Sequence, residues 1–246
     1  YMKANMYIIN TAKGLESSTG MRMSQLAEEV LGEHIRPRFA VLSGPSHAEE
    51  VAREIPTAVT VASTCHQTSL LVQDLFMSPN FRVYTNPDVA GVELGGALKN
   101  IIALATGVAY GLGFGDNTMA ALMTRALTEM IRMAKSMGGH PSTLSGLSGI
   151  GDLVVTCVSK HSRNRRAGEL IGQGLSLEET LQHIGMVVEG AYTCRVVHRI
   201  ATERGIDMPI TSACYQVLYE NRDPREMVLD LMQRQKKGET EQMIQS

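Results

Sequence analysis

The hydrophobic pattern of this 246-residue chain changes once, near Asn86-Pro87-Asp88. Before that point, short apolar runs alternate with amphipathic segments, which predicts right-handed crossovers and a mainly parallel sheet. After it no convincing strand pattern follows, and apolar residues recur with a helical period. We therefore expect an α/β domain over residues 1–88 and an all-α domain over residues 89–246. The predicted strands cover 7–10, 39–42, 58–62 and 81–84, and the later predicted helices cover 89–111, 117–137, 163–172, a segment after the Ser176-x-x-Glu179 capping box, 187–204, 210–221 and 224–235.

Composition narrows the classes of function. The formal net charge is -2, which gives no general attraction to nucleic acid or to acidic membranes. The cysteines at 65, 157, 194 and 214 are far apart and form no Cys-x-x-Cys pair, so we expect neither a metal site nor a disulfide framework. No stretch approaches the ~20 apolar residues of a membrane span, and the opening segment 1–5 lacks the apolar core of a signal peptide. The simplest expectation is a cytoplasmic protein with reduced thiols.

Lys99 lies in the middle of an apolar, small-residue segment, 91–106, whose period is close to that of a helix. On a helix, Gly95 and Gly96 would share its face. Each glycine costs about 1 kcal/mol relative to alanine inside a helix, so two in a row need a reason. Room for a ligand or for another backbone is the favoured reason, and because neither glycine has a side chain, the ammonium would lie over a hollow. The alternative is a lysine whose stem covers apolar surface while its head reaches water, and the segment alone favours neither.

Two polar clusters follow predicted strands, at the carboxyl ends where open α/β sheets bind ligands. Lys13 follows the first strand, and Gly44-Pro45-Ser46 follows the second. Gly44 allows the backbone to approach a ligand closely. Ser46 is predicted to cap a helix through Ala48, Val51 and Ala52, with Glu49 as its capping-box partner, and to offer amides and a hydroxyl to an anion. For an isolated Gly-Pro-Ser, ordinary turn and capping chemistry is the better explanation.

Two further clusters lie in the helical part. Asp152 opens an apolar run, so it either caps a helix or positions a lysine or a substrate hydroxyl. The segment 160–166 is strongly basic, and Ser162 can cap the next helix, which places Arg163 and Asn164 in its first turn. The helix dipole disfavours cations there unless they share an anion with the free amides, and phosphate is the obvious anion. A solvated basic face is the alternative, and a nucleic-acid patch is less favoured because no aromatic residues interleave.

A lysine near a carboxylate, beside an anion cradle and between two domains, indicates proton transfer on a small phosphorylated substrate. Sheets of this type usually carry a G-x-G-x-x-G loop after the first strand, and the sequence contains none. We therefore expect either a different fold or a chain that lacks the first half of a dinucleotide-binding domain. The start at Tyr1 rather than Met favours a fragment.

At these clusters the sequence resembles the bacterial type of NAD(P)-dependent glycerol-3-phosphate dehydrogenase. The resemblance implies a partial Rossmann-type parallel sheet followed by a helical C-terminal domain similar to that of 6-phosphogluconate dehydrogenase. The family's first mononucleotide-binding half, with G-x-G-x-x-G/A, has no counterpart in this sequence. The matching motifs run in family order over residues 8 to about 220 and are Ala12-Lys13-Gly14, Gly44-Pro45-Ser46, Gly95-x-x-x-Lys99-Asn100, Gly113-Phe114-Gly115-Asp116-Asn117, Gly151-Asp152-Leu153-Val154-Val155-Thr156-Cys157, Ser162-Arg163-Asn164-Arg165 and Val188-Glu189-Gly190.

The same resemblance implies a reaction and the residues that carry it. The family interconverts dihydroxyacetone phosphate and sn-glycerol 3-phosphate with NADH or NADPH, which supplies glycerol 3-phosphate for phospholipid synthesis. By this resemblance Lys99 is the general acid/base, with Lys13 and Asp152 as its catalytic neighbours. The implied substrate-binding residues are Lys13, Gly44, Ser46, Lys99, Asn100, Asp152, Thr156, Ser162, Arg163 and Asn164, and the implied cofactor-binding residues are Lys13, Ala48, Arg163, Val187 and Glu189.

Three further expectations follow from the resemblance. Without the pyrophosphate loop, this chain should bind NAD or NADP poorly and turn over little or nothing. A homodimer through the helical domain is expected. Met119 and His47 depart from the basic and aromatic residues that are frequent at their positions, and they bear on specificity or packing rather than on the reaction class. Two rival hypotheses are a related dehydrogenase of the 6-phosphogluconate type and a non-enzymatic helical module that binds an acidic partner through 160–166.

Overall fold

The first part of the chain forms a four-stranded sheet with three α-helices. A computed structural model describes residues 6–236 and 238–239. All four predicted strands are present, each within two residues of its predicted bounds. In chain order the elements are β1 (Ile8–Asn10), α1 (Met23–Leu31), a 3₁₀ helix (Glu33–Arg38), β2 (Phe39–Ser43), α2 (Ala48–Val51), β3 (Thr57–Ala62), α3 (His66–Phe76) and β4 (Phe81–Asn86).

The sheet has the order β1-β2-β3-β4 and is mixed. Its outer pairs are parallel, as expected, but β2 and β3 are antiparallel, with Leu42 opposite Val61. A parallel return usually runs through a helix that crosses back over the sheet, and α2, with only four residues, is too short for this. Gly44 begins the return, with φ +145°, and a Cβ there would lie 2.9 Å from the Val59 Cα of β3. With this one departure, the predicted fold class is confirmed.

The remaining elements are helical, and within the described residues no strand follows β4. The predicted helices are confirmed to within three residues at each end. The helical period does not reveal α6, the π-helical turn or α7, because each has at most seven residues. The helices are α4 (Val89–Gly111), α5 (Asp116–Ser136), α6 (Pro141–Leu144), the π-helical turn (Leu147–Gly151), α7 (Asp152–Val158), α8 (Arg163–Gly172), α9 (Leu177–Ile184), α10 (Glu189–Arg204), α11 (Pro209–Tyr219) and α12 (Pro224–Met232).

The central element is α4, which is buried from Val89 to Ala109 except at Ala90. The expectation that no stretch approaches a membrane span was wrong on length and apolar character, because this helix has a mean hydropathy of 1.3. However, 94% of its apolar stretch is buried inside the protein, as in a core helix.

Two packing contacts fix the position of α4. Its first turns lie on the sheet, where Val92 packs with Val41 of β2. Further along, a side chain at Gly107 would overlap the Arg165 carbonyl of α8, and one at Gly168 of α8 would overlap the Leu104 carbonyl. The glycines therefore let the two backbones touch. Because α4 spans from the sheet to the helical core, the middle of the helix lies between them.

Candidate active site

Three charged side chains from distant parts of the chain meet in the middle of α4. Lys99, only 6% exposed, donates hydrogen bonds from Nζ to Asp152 Oδ1 and, at 2.8 Å, to Thr156 Oγ1. Lys13, in the loop after β1, donates to Asp152 Oδ2 at 2.7 Å. Asp152 does not cap α7, since Gly151 is the N-cap residue and no side chain bonds to the helix start. Of the two interpretations of Asp152, the carboxylate that positions a lysine is the one that its contacts fit.

Burial lowers the pKa of Lys99 from 10.5 to about 8. The Asp152 carboxylate opposes this effect of burial and the Lys13 charge adds to it, and the pKa of about 8 is the net result. The ammonium loses water on burial, and one carboxylate shared between two lysines does not fully replace it. As a result, Lys99 can give up and recover a proton close to neutral pH.

The two glycines on the Lys99 face make room for protein atoms. A Cβ at Gly95 would overlap the Ser148 carbonyl of the π-helical turn, and one at Gly96 would lie 2.9 Å from Ser43 Oγ and 3.2 Å from Lys13 Cγ. The expected room for another backbone is confirmed at Gly95, but the expected hollow beneath the ammonium is wrong, because that backbone and the Lys13 stem fill it. The alternative of a head that reaches water is also wrong, since the ammonium is buried and hydrogen-bonded.

The loop after β2 contributes a carbonyl to the cluster. Gly44 O accepts hydrogen bonds from Lys13 Nζ at 2.9 Å and from Ser46 Oγ at 3.1 Å. The predicted capping role of Ser46 is wrong, because His47 is the N-cap residue of α2 and no side-chain bond caps this helix. The Ser46 hydroxyl bonds backward to Gly44 instead, and Glu49 therefore has no capping-box partner.

Two asparagines connect the helices around the cluster. Asn164 Nδ2 donates to Asn100 Oδ1 at 3.0 Å, and the Gly190 amide of α10 donates to Asn164 Oδ1 at 2.8 Å. Asn100 Nδ2 donates to the Lys13 carbonyl at 3.2 Å. The pair thus ties α8 and α10 to α4 beside Lys99.

The start of α8 matches its local prediction. Ser162 Oγ accepts a hydrogen bond from the Arg165 amide at 3.2 Å, so the predicted cap is confirmed. Arg163 is the first residue of the helix and is exposed. An exposed guanidinium beside a helix N-terminus is an arrangement that can hold an anion.

The residues implied as cofactor contacts are less closely grouped. Glu189 begins α10, and its carboxylate faces the loop after β1, 3.3 Å from where a Cβ at Gly14 would lie. Ala48 and Val187 are exposed, and within residues 6–236 and 238–239 no hydrogen bond or ion pair joins them to the lysine cluster.

Two polar atoms near the cluster lack hydrogen-bond partners, and neither of them is assigned to the site from the sequence. Ser43 Oγ and His47 Nε2 are both shielded from solvent, with no hydrogen-bond partner among the described residues. Ser43 ends β2 and lies against Gly96 and Lys13. Its signal in the sequence is its place at the carboxyl end of a strand, the same signal that singles out Gly44.

Two protein-family models match the chain. The model for the N-terminus of NAD-dependent glycerol-3-phosphate dehydrogenase matches residues 1–69, and the model for the C-terminus matches residues 88–229. Curated relatives named glycerol-3-phosphate dehydrogenase (NAD(P)+) include a protein of Syntrophomonas wolfei, 69% identical over 244 residues, and one of Pelotomaculum thermopropionicum, 57% identical over 243 residues. Each alignment covers 99% of this chain, and they cover 71% and 70% of the relatives.

Solved structures agree with these matches. A crystal structure of glycerol-3-phosphate dehydrogenase from Coxiella burnetii has a TM-score of 0.90 and 42% identity, covering 95% of this chain and 70% of that one. The structure of a GPDH from Dunaliella salina has a TM-score of 0.85 and 25% identity, covering 93% of this chain and 40% of that one.

Proposed function

The chain belongs to the NAD-dependent glycerol-3-phosphate dehydrogenase family, and from that premise we propose that Lys99 is the general acid/base of its reaction. The enzyme class is glycerol-3-phosphate dehydrogenase with NAD or NADP as cofactor. The observation that carries the proposal is the buried Lys99 ammonium, which donates to Asp152 and Thr156 and has a pKa of about 8. A group of this acidity can donate a proton to a carbonyl oxygen and recover it from solvent.

In this mechanism Asp152 and its neighbours hold the proton donor in place. Asp152 accepts from both Lys99 and Lys13, and Thr156 accepts a third hydrogen bond at 2.8 Å from Lys99. These contacts fix Nζ of Lys99 and keep its proton available at neutral pH. Lys13, with its side chain 22% exposed, adds a positive charge that stabilises the developing alkoxide before Lys99 protonates it.

The substrate-binding and cofactor-binding assignments remain proposals. The phosphate of the substrate would lie against the start of α8, where the Arg163 guanidinium and the free amides meet. Gly44, Ser46, Asn100, Thr156, Ser162 and Asn164 complete the proposed substrate site, and Lys13, Ala48, Arg163, Val187 and Glu189 the proposed cofactor site.

Part of the site fits a dinucleotide. The unpartnered hydroxyl of Ser43 lies at the carboxyl end of β2 beside Lys13, where a nicotinamide would meet the cluster. NADH or NADPH supplies the hydride when bound. The sequence holds no G-x-G-x-x-G/A loop for the pyrophosphate, so we expect these 246 residues alone to bind the cofactor weakly and to turn over little.

The test is Lys99→Ala, assayed by steady-state reduction of dihydroxyacetone phosphate. The variant is made in the chain extended before Tyr1 by a segment that carries the G-x-G-x-x-G/A loop. Loss of the general acid should reduce turnover by about 10²–10⁴-fold. Lys135→Ala, which removes an exposed lysine of α5, is the matched control and should retain full activity. Turnover of Lys99→Ala equal to that of the control would show that the acid/base is another group.

We also propose a setting and an organisation for the protein. Free cysteines at all four positions suit a reducing cytoplasm, where the product would serve phospholipid synthesis. Leu229 and Met232 of α12 are exposed apolar side chains that a second copy would cover, which supports a homodimer. The gap between the end of β4 at Asn86 and the start of α4 at Val89 supports a domain boundary near residue 88.

A further inference from the structure

His47 carries a buried polar atom for which the proposed mechanism has no role. Its Nε2 is shielded from solvent and has no hydrogen-bond partner among the described residues. Buried polar groups in folded proteins are nearly always hydrogen-bonded. An exception next to a candidate active site indicates a group that a ligand satisfies.

The position of the ring supports this interpretation. His47 directly follows Gly44-Pro45-Ser46 and precedes α2. Its ring centroid is 6.3 Å from that of His161, which directly precedes Ser162 and Arg163 at the start of α8. The imidazole therefore lies between the two segments to which we assign the phosphorylated substrate.

The charges around the ring favour its neutral form while no anion is present. Burial, followed by the positive charge of Lys99 on α4, lowers the pKa of His47. A hydrogen bond between the ring and the Val155 backbone, and the carboxylates of Glu49 on α2 and Asp152 on α7, act in the opposite direction. A dianionic phosphate at this place would oppose both lowering effects, because its negative charge favours the protonated imidazole and offsets the Lys99 charge.

We propose that His47 is a further substrate contact, whose imidazole takes up a proton from solvent and donates a hydrogen bond to the phosphate when that group binds between Ser46 and Ser162. The inference rests on the proposed function, because it requires a phosphorylated substrate at this site. No covalent bond changes, and the proton comes from bulk water. Such a contact makes the site selective for the phosphorylated triose and triol over their unphosphorylated forms.

The test follows the imidazole itself, because Lys99 titrates in the same pH range and complicates any affinity profile. Proton NMR of the histidine Cε1–H resonances is recorded against pH on the 246-residue chain, alone and with saturating sn-glycerol 3-phosphate. His47→Gln assigns the resonance by removing it. The ligand should raise the pKa of His47 by about one pH unit or more, and glycerol should leave it unchanged. His47→Gln should weaken sn-glycerol 3-phosphate binding about tenfold at pH 7, whereas His183→Gln, an exposed control on α9, should not.

The outcomes separate this inference from the proposed function. If the ³¹P resonance and the melting temperature show that sn-glycerol 3-phosphate binds, while the titration of His47 does not move, His47 is not a phosphate contact and the proposed function is unaffected. If sn-glycerol 3-phosphate does not bind at all, the substrate assignment fails, and this inference fails with it. Equal affinity of His47→Gln and the unchanged chain would also overturn the inference.

Discussion

Replacing Asp152 by asparagine should destabilise the fold by about 3–5 kcal/mol at pH 7, because it leaves two lysines around a buried amide with no negative charge. The side chain of Asp152 is 1% exposed, that of Lys99 is 7% exposed and that of Lys13 is 22% exposed. Each hydrogen bond to a charged group contributes about 1.5–3 kcal/mol, and asparagine keeps one acceptor oxygen. At about 2–4 °C per kcal/mol for a chain of this size, the melting temperature should fall by about 6–20 °C.

This loss of stability is measured by thermal unfolding of Asp152→Asn and of the unchanged chain, monitored by circular dichroism at pH 7 and at pH 10. The folded-state pKa of Lys99 is about 8, below its ordinary 10.5, so at pH 10 its side chain is already neutral. The stabilisation from Asp152 is therefore present below that pKa and is partly lost as the pH rises through it. Glu28→Gln, which removes the pairing of Glu28 with the exposed Arg36, is the control and should cost less than about 1 kcal/mol. Equal costs for the two variants, or an Asp152→Asn cost that is the same at both pH values, would refute the reasoning.

Three further predictions follow from the same contacts. In the enzyme with its cofactor loop, the rate of dihydroxyacetone phosphate reduction should decline above about pH 8, because this direction needs a protonated Lys99. The rate of glycerol 3-phosphate oxidation should rise through the same pH, because that direction needs a neutral Lys99. Initial rates in both directions check this, and parallel pH profiles would contradict it. Gly107→Ala should lower the free energy of unfolding, measured in urea, by about 1–3 kcal/mol, because the added Cβ would overlap the α8 backbone. Gly115→Ala should lower it less, because no atom lies within 4 Å of the Cβ added there. Glu129→Ala should lower the melting temperature, because the buried carboxylate accepts from the Ile210 amide at 2.6 Å and from the Thr211 amide at 3.1 Å, and each unpaired amide costs about 1–3 kcal/mol. An unchanged melting temperature would show that these two hydrogen bonds do not stabilise the fold.

Features set by neighbouring residues could be predicted from the sequence. The bounds of α4 and α8 follow from apolar spacing and from Ser162, whose hydroxyl reaches an amide three residues away. The Ser176 capping box is confirmed for the same reason. The Ser46 cap failed because α2 begins at Ala48, one residue later than a cap at Ser46 requires, so that His47 is the N-cap residue. A local pattern can therefore predict a helix start and still miss the residue that caps it.

The sequence by itself determined the change from α/β to helical structure near residue 88, the bounds of the longer helices and the family, because period, caps and motifs are local. The tertiary structure decided the sheet direction, since a four-residue α2 returns β3 antiparallel. It also decided between the alternatives at Asp152, and at Lys99 it replaced both with a buried ammonium that is hydrogen-bonded to Asp152 and Thr156. Lys13 and Asp152 are 139 positions apart, and no spacing rule predicts that one carboxylate joins two lysines from different elements. Burial, the main cause of the lowered pKa of Lys99, exists only once α4 is enclosed by the sheet and the helices around it.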